Sequence, residues 1–158
     1  RKITRIPIID IITPTVEYLK DKYKYVSLIA TESTIKNGIF QKQLEQAGIK
    51  VKTIGCPSFV PFIEKQSKTI DLSILDETKD TECIILGCTH YPLIKDIIEE
   101  YTNINTFDMG ASLNISPSTN KKTKIDIYVS GKLNIKEEEI FNIINKEFNI
   151  KYLQKDEK

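Results

Sequence analysis

Residues 83–94 read CIILGCTHYPLI, and this stretch predicts the class of fold. Its first four residues form an unbroken apolar run, which is typical of a strand covered on both faces of a parallel sheet. Gly87 then ends the strand. Pro92 lies where a helix would begin, because its fixed φ suits the first helical turn. The stretch therefore predicts a buried strand, a short turn and a helix in succession.

The same succession repeats along the chain. Apolar runs predict strands at residues 6–12, 25–30, 51–55, 83–87, 105–109 and 124–131. Apolar residues at helical spacing predict helices around residues 35–47, 93–101 and 140–148. Residues 65–80 are mostly polar and fit either a short helix or a surface loop. We therefore predict an α/β fold with a mostly parallel sheet, flanking helices and right-handed crossovers.

Composition excludes several functional classes. The 158 residues carry 23 Lys and Arg against 22 Asp and Glu, a net charge of +1, which argues against binding driven by nucleic-acid phosphates. The apolar runs are too short to span a membrane. No cationic and apolar leader precedes Ile3, and three cysteines without a framework spacing predict free thiols in a reducing compartment. We expect a cytoplasmic protein that binds neither nucleic acid nor membranes.

Three junctions between a strand and a helix carry candidate chemistry, at residues 30–34, 55–58 and 87–92. Ligands of open parallel sheets bind at the carboxyl ends of strands, where such junctions lie. The third junction brings together Cys88, Thr89 and His90, the only histidine of the chain. Backbone amides at a helix start favour an anion, and they favour a thiolate over a thiol.

The other two cysteines have a simpler interpretation. Cys83 lies inside a predicted strand and Cys56 precedes Pro57, so we expect both to be structural, as most buried cysteines are. The spacings of the cysteines and His90 match no familiar zinc site, and we expect no bound metal.

The segment GCTHYPLI at residues 87–94 resembles the second cysteine motif of bacterial glutamate racemases, in the aspartate/glutamate racemase superfamily. Residues 31–38, 56–64, 108–111 and 128–131 are similar to further segments of that family, in the same order. The resemblance extends from about residue 6 to residue 148.

This resemblance implies a cofactor-independent racemase that interconverts L- and D-glutamate for peptidoglycan synthesis, with neither metal nor pyridoxal phosphate. Two cysteines flank the glutamate Cα, because inversion requires a proton acceptor on one face and a donor on the other. The catalytic residues that the resemblance implies are Cys88, His90 and Glu64, with Cys88 as one of the two acid/base cysteines. The substrate-binding residues that it implies are Thr31, Thr34, Thr89 and His90.

The chain also departs from the family pattern. An aspartate-serine-glycine motif and a cysteine-asparagine-threonine motif, which come earlier in the family, do not occur among these 158 residues. The stretch between Glu64 and Thr81 is shorter than usual, and Phe40 stands where a tyrosine is common. Because the chain opens at Arg1 and its only methionine is Met109, we expect the C-terminal portion of such an enzyme, inactive without its N-terminal portion.

The family pattern also predicts the domains. Residues 7–107 would form the second racemase-type α/β domain. Residues 108–158 would be strand and helix elements that complete the first, otherwise missing domain. Apolar residues of this C-terminal part would then be exposed unless they fold back or pair with another chain, as in a homodimer. They are Ile140, Phe141, Ile144 and Phe148.

Two alternatives belong to other functional classes. The first is a non-catalytic module that binds an amino acid through the racemase half-site. The second is a hydrolase built on Cys88 and His90, which is weaker because no third orienting residue and no oxyanion turn can be identified.

Overall fold

The computed structural model describes residues 10–113, 125–129, 136–144 and 147–152. The described helices are α1 (Ile12–Leu19), α2 (Glu32–Asn37), α3 (Ile39–Gln46), α4 (Phe59–Ile63), α5 (Lys95–Thr102) and α6 (Glu137–Ile144). The described strands are β1 (Tyr25–Ala30), β2 (Lys50–Gly55), β3 (Cys83–Leu86), β4 (Thr106–Asp108), β5 (Asp126–Val129) and β6 (Asn149–Tyr152). The chain divides into two compact units, Arg1–Ile115 and Ser116–Lys158.

The first unit contains a parallel sheet with the strand order β2-β1-β3-β4. The chain runs from the inner strand β1 outward to β2, and it then crosses to β3 on the other side of β1. At such a reversal of strand order, the loops that follow the two inner strands diverge and leave a crevice at the carboxyl edge. The sheet confirms the predicted α/β class and places that crevice between the loops after β1 and β3.

Both faces of this sheet are covered, as the unbroken apolar strands predict. Neighbouring residues of β1 and β3 point to opposite faces and enter two separate cores. On one face, Val26, Leu28 and Ile85 pack with residues of α1 and α3, namely Val16, Leu19, Phe40 and Leu44. On the other face, Ile29, Ile84 and Leu86 pack with residues from α4 to α5, namely Phe59, Tyr91, Ile94 and Ile98.

The predicted strand at residues 6–12 is wrong over its described part, because α1 begins at Ile12. The Asp10 carboxylate accepts hydrogen bonds from the Thr13 amide and hydroxyl, at 2.7 and 3.0 Å, and so satisfies a donor of the first helical turn. Residues 6–9 lie outside the described residues.

The helical prediction for residues 35–47 holds, but the helix is broken in two. Gly38 adopts a left-handed conformation with φ of 69° between α2 and α3. Glycine reaches this conformation without steric cost, and it ends α2 as a C-terminal cap. The ambiguous residues 65–80 include a short 3-10 helix at Ser73–Thr78.

In the second unit, β5 and β6 form a parallel pair. The predicted strand at 124–131 is confirmed over Asp126–Val129, and its other residues, except Ile125, lie outside the described part. The predicted helix is confirmed as α6, but Phe148 lies beyond it and precedes β6, which the sequence analysis missed. In the predicted apolar stripe, Ile140 is buried and Phe141 is 44% exposed. The side chain of Ile144 lies outside the described residues.

No helix in the described parts of the chain has the length and apolar character needed to cross a membrane.

Candidate active site

The loops after β1, β2 and β3 emerge side by side at the carboxyl edge of the sheet. Ala30 pairs with Gly55, and its carbonyl accepts a hydrogen bond from the Cys56 amide at 2.9 Å. On the other side of β1, the Gly87 amide donates to the Ile29 carbonyl at 2.8 Å. All three junctions that carry candidate chemistry therefore lie at one edge, as the predicted parallel sheet requires.

Gly87 is held unusually close to β1. A Cβ atom at this position would lie 2.8 Å from Leu28 Cδ1, 2.9 Å from the Ile29 carbonyl oxygen and 3.0 Å from Ala30 Cβ. No side chain fits there without a shift of the backbone. The absence of a side chain thus lets the loop that begins at Gly87 and Cys88 lie directly against the end of β1.

Three predicted catalytic residues meet in this loop region. The Cys88 Sγ lies 3.8 Å from His90 Nδ1, and His90 Nε2 lies 3.1 Å from Glu64 Oε1. An ionised carboxylate can only accept hydrogen bonds, so with Glu64 ionised the Nε2 atom carries the proton and its N–H donates a hydrogen bond to Glu64. In the neutral imidazole, Nδ1 is then left unprotonated, facing the sulfur. This arrangement can take a proton from the Cys88 thiol and return it.

These groups remain open to a small ligand. Cys88 is partly buried, while the side chains of His90 and Glu64 are 38% and 41% exposed.

Glu64 lies at the C-terminal end of α4, and Lys65 follows it with a left-handed φ of 58°. The Cys88 carbonyl accepts a hydrogen bond from the Tyr91 amide at 3.1 Å, which starts the short 3-10 turn Tyr91–Ile94.

The predicted substrate-binding threonines occupy two other positions at the same edge. Thr31 caps α2, and its Oγ1 lies 3.0 Å from that of Thr34. Thr34 and Gly87 both line an open cavity of about 310 Å³. The rest of its lining combines polar residues of α2 with a largely apolar floor: Ser33, Asn37, Ile11, Ile12, Ile39, Phe40 and Met109. Thr89 is exposed on the loop between Cys88 and His90.

Cys56 and Cys83 differ from Cys88 in their surroundings. Each is 1% exposed and belongs to one of the two cores. Burial raises the pKa of the Cys56 thiol to about 12 and that of the Cys83 thiol to about 11. Both therefore stay protonated near neutral pH, and the prediction that Cys83 is a buried apolar residue is confirmed.

Sequence reasoning missed the part that Tyr91 plays in this region. Its side chain is fully buried, and its hydroxyl donates a hydrogen bond to the Cys56 carbonyl at 3.1 Å. Its ring meets that of Phe59 edge to face, with 5.3 Å between centroids. One indication was present in the sequence, because Tyr91 directly follows His90 in the segment 87–94 that carries the candidate chemistry.

Within the described residues, no three His, Cys, Asp or Glu side chains lie close enough together to hold a metal ion.

Comparison with known proteins places these residues in context. The family model for Asp/Glu/hydantoin racemases matches residues 1–113. Glutamate racemase from Persephonella marina is 34% identical over 142 residues, which are 82% of this chain and 54% of that protein. Glutamate racemase from Aquifex aeolicus is 35% identical over 112 residues, which are 65% of this chain and 44% of that protein. The chain thus spans about half the length of the curated relatives it matches.

A solved structure gives the same family likeness in three dimensions. Glutamate racemase from Francisella tularensis, in complex with D-glutamate, superposes with a TM-score of 0.76 and 25% identity. The superposition covers 98% of this chain and 66% of that one. Glutamate racemase from Aquifex pyrophilus has a TM-score of 0.73 at 24% identity, a likeness of fold.

Proposed function

The chain belongs to the Asp/Glu/hydantoin racemase family, and from that membership we propose that it is part of a glutamate racemase. The proposed reaction interconverts L- and D-glutamate and supplies D-glutamate for peptidoglycan. The observation that carries the proposal is the chain of contacts from Cys88 through His90 to Glu64 at the carboxyl edge of the sheet. The names of the similar proteins, and the D-glutamate bound to one solved relative, support glutamate as the substrate.

Racemisation breaks and reforms the bond between Cα and its hydrogen. A base on one face takes the proton, and an acid on the opposite face delivers one, so that configuration inverts. Cys88 is proposed as one of these two groups. As a thiolate it removes the Cα proton from one enantiomer, and as a thiol it donates a proton to the carbanion formed from the other. The family resemblance implies that neither a metal nor pyridoxal phosphate takes part.

His90 and Glu64 support Cys88 in both directions. When Nδ1 accepts the thiol proton, the imidazole becomes positively charged, and the Glu64 carboxylate at 3.1 Å stabilises that charge. The proton can then return to sulfur for the reverse reaction. Thr31, Thr34 and Thr89 are proposed to bind the polar groups of glutamate beside Gly87, where Thr34 already lines the cavity.

The opposite base is proposed to lie outside these 158 residues. Cys56 and Cys83 are buried with raised pKa values, which makes both unsuitable for that role. We assign residues 7–107 to the second domain of the racemase. Residues 108–158 are assigned to the elements that complete the first, and the remaining portion of the enzyme acts as the partner. The 158 residues alone are expected to be inactive, and a homodimer is the proposed assembly.

Circular dichroism of glutamate tests this function directly. The complete product of the gene should convert L-glutamate to the racemate, and Cys88→Ser should abolish conversion. Cys83→Ala, at the other end of β3, should leave it unchanged. Conversion by the 158-residue chain alone, abolished by Cys88→Ser, would show that no second half is needed.

A second candidate is a binding module, since these residues contain one Cys-Thr-His segment without a partner segment. Calorimetric titration with D- and L-glutamate separates the two. Binding by a complete gene product that does not racemise glutamate would favour the module.

A further inference from the structure

We propose that Tyr91 is a positioning residue, which fixes the contact between His90 and Glu64 by joining the two segments that carry them. The inference deepens the proposed function and rests on it, because the contact matters for catalysis only if Cys88 transfers protons. It assigns a task to a buried polar side chain that the proposed mechanism does not use.

The His90–Glu64 contact needs such support. Its two side chains are 38% and 41% exposed, and contacts between solvated groups are weak because both side chains must be ordered. The two residues are also 26 positions apart and lie on different segments of the chain. Their distance is therefore set by how firmly the buried parts of those segments are held together.

Tyr91 supplies that connection at two points. Its hydroxyl donates to the carbonyl of Cys56, which begins the segment leading through α4 to Glu64. Its ring packs edge to face on Phe59, the first residue of α4. Because Tyr91 directly follows His90, both contacts act one residue away from the imidazole. Burial raises the pKa of the Tyr91 hydroxyl, so this group stays protonated and remains a donor at neutral pH.

The chain offers a clear test, because His90 is its only histidine and gives a single set of imidazole signals by NMR. Tyr91→Phe removes the hydroxyl and keeps the ring against Phe59. Tyr101→Phe is the matched control, because the hydroxyl of this exposed tyrosine donates instead to Asp76, at 3.4 Å. Each variant, and the unchanged chain, is studied with and without Glu64→Gln.

Two readouts report whether Glu64 still acts on His90. One is the change in the His90 imidazole chemical shifts on Glu64→Gln. The other is the change in the rate at which iodoacetamide alkylates Cys88, which follows thiolate character. We expect Glu64→Gln to shift the imidazole signals and slow alkylation in the unchanged chain and with Tyr101→Phe. Both effects should fall to roughly half or less with Tyr91→Phe, as for coupled residues in a double-mutant cycle.

Equal effects of Glu64→Gln in all three backgrounds would overturn the proposal. A Tyr91→Phe chain that does not fold would overturn it too, because the hydroxyl would then hold the whole unit rather than this contact. Neither readout requires turnover. The Tyr91 proposal can therefore be tested even if the protein does not racemise glutamate. Conversely, equal effects in all backgrounds would refute the role of Tyr91 without deciding whether Cys88 transfers protons.

Discussion

The close approach of Gly87 to β1 makes a sharp prediction about stability. Gly87→Ala would place a methyl group 2.8 Å from Leu28 Cδ1 and 2.9 Å from the Ile29 carbonyl oxygen. The second neighbour is backbone within the sheet and cannot rotate away. Extra atoms in such a packed position cost about 1–3 kcal/mol. Replacing glycine also reduces the conformational entropy of the unfolded chain, which stabilises the folded state by about 0.4–1 kcal/mol.

Taking the middle of each range, we expect a net loss of about 1.3 kcal/mol, which corresponds to a melting temperature lower by about 5 °C for a unit of this size. Gly55→Ala is the matched control, since Gly55 ends the strand on the other side of β1. Its added Cβ would meet Glu32 Cγ at 3.4 Å and Glu32 Cα at 3.8 Å; the first belongs to an exposed side chain that can move, and the second is at an ordinary van der Waals distance. Neither glycine has a positive φ, so the backbone conformation does not disfavour alanine at either position, and the two variants differ in the contacts of the added methyl group.

Thermal and urea unfolding of the two variants, followed by circular dichroism in the far ultraviolet, measure the difference. Gly55→Ala should be neutral or slightly stabilising, and Gly87→Ala clearly destabilising. If both variants unfold together with the unchanged chain, the close packing of the Cys88 loop on β1 is refuted.

Three further results are expected from the buried groups of the first unit. Iodoacetamide should alkylate Cys88 in the native chain and reach Cys56 and Cys83 only in denaturant, since these two are 1% exposed. Mass spectrometry of peptides measures the labelling, and alkylated Cys56 or Cys83 from the native chain would contradict the prediction. Because the pKa of the Cys56 thiol is about 12 in the folded chain and about 9 in the unfolded chain, only the unfolded chain loses this proton between those pH values. The thiol should therefore lower the free energy of unfolding by about 1.4 kcal/mol per pH unit in this range. Urea unfolding of Cys56→Ala should show a pH dependence that is smaller by this amount. Thr81→Val should cost about 1–3 kcal/mol, because it leaves the buried Ser27 hydroxyl without its partner at 2.9 Å. Ser27→Ala should cost only about 1 kcal/mol, because Thr81 still donates to the Thr78 carbonyl. Equal losses of unfolding free energy in urea would contradict this.

The sequence was most informative where strands are buried on both faces. The apolar run at residues 25–30 coincides with β1, because an unbroken apolar run of this length fits a strand that is covered on both faces. The segment at 87–92 lies at the carboxyl edge of the sheet, as the strand–helix pattern predicts, and ligands of parallel sheets bind at that edge.

Local pattern failed where a tertiary or capping contact decides the structure. The apolar residues before Pro14 suggest a strand, yet the Asp10 carboxylate bonded to Thr13 starts a helix. The contact between His90 and Glu64 could not be derived from spacing, since 26 residues separate them; only the resemblance placed Glu64 near Cys88. The hydrogen bond from Tyr91 to the Cys56 carbonyl has no sequence signal of its own, because the acceptor is backbone.

The central claim, that Cys88 moves a proton at the glutamate Cα, is tested most directly by hydrogen exchange. The complete gene product is incubated in D2O with each enantiomer of glutamate, and the loss of the Cα–H signal is followed by NMR. We predict exchange from both enantiomers in the unchanged protein. With Cys88→Ala, exchange should fall by about 10²–10⁴-fold for the enantiomer whose Cα–H faces Cys88, the usual range for losing an acid/base group. Undiminished exchange from both enantiomers in Cys88→Ala would contradict the account.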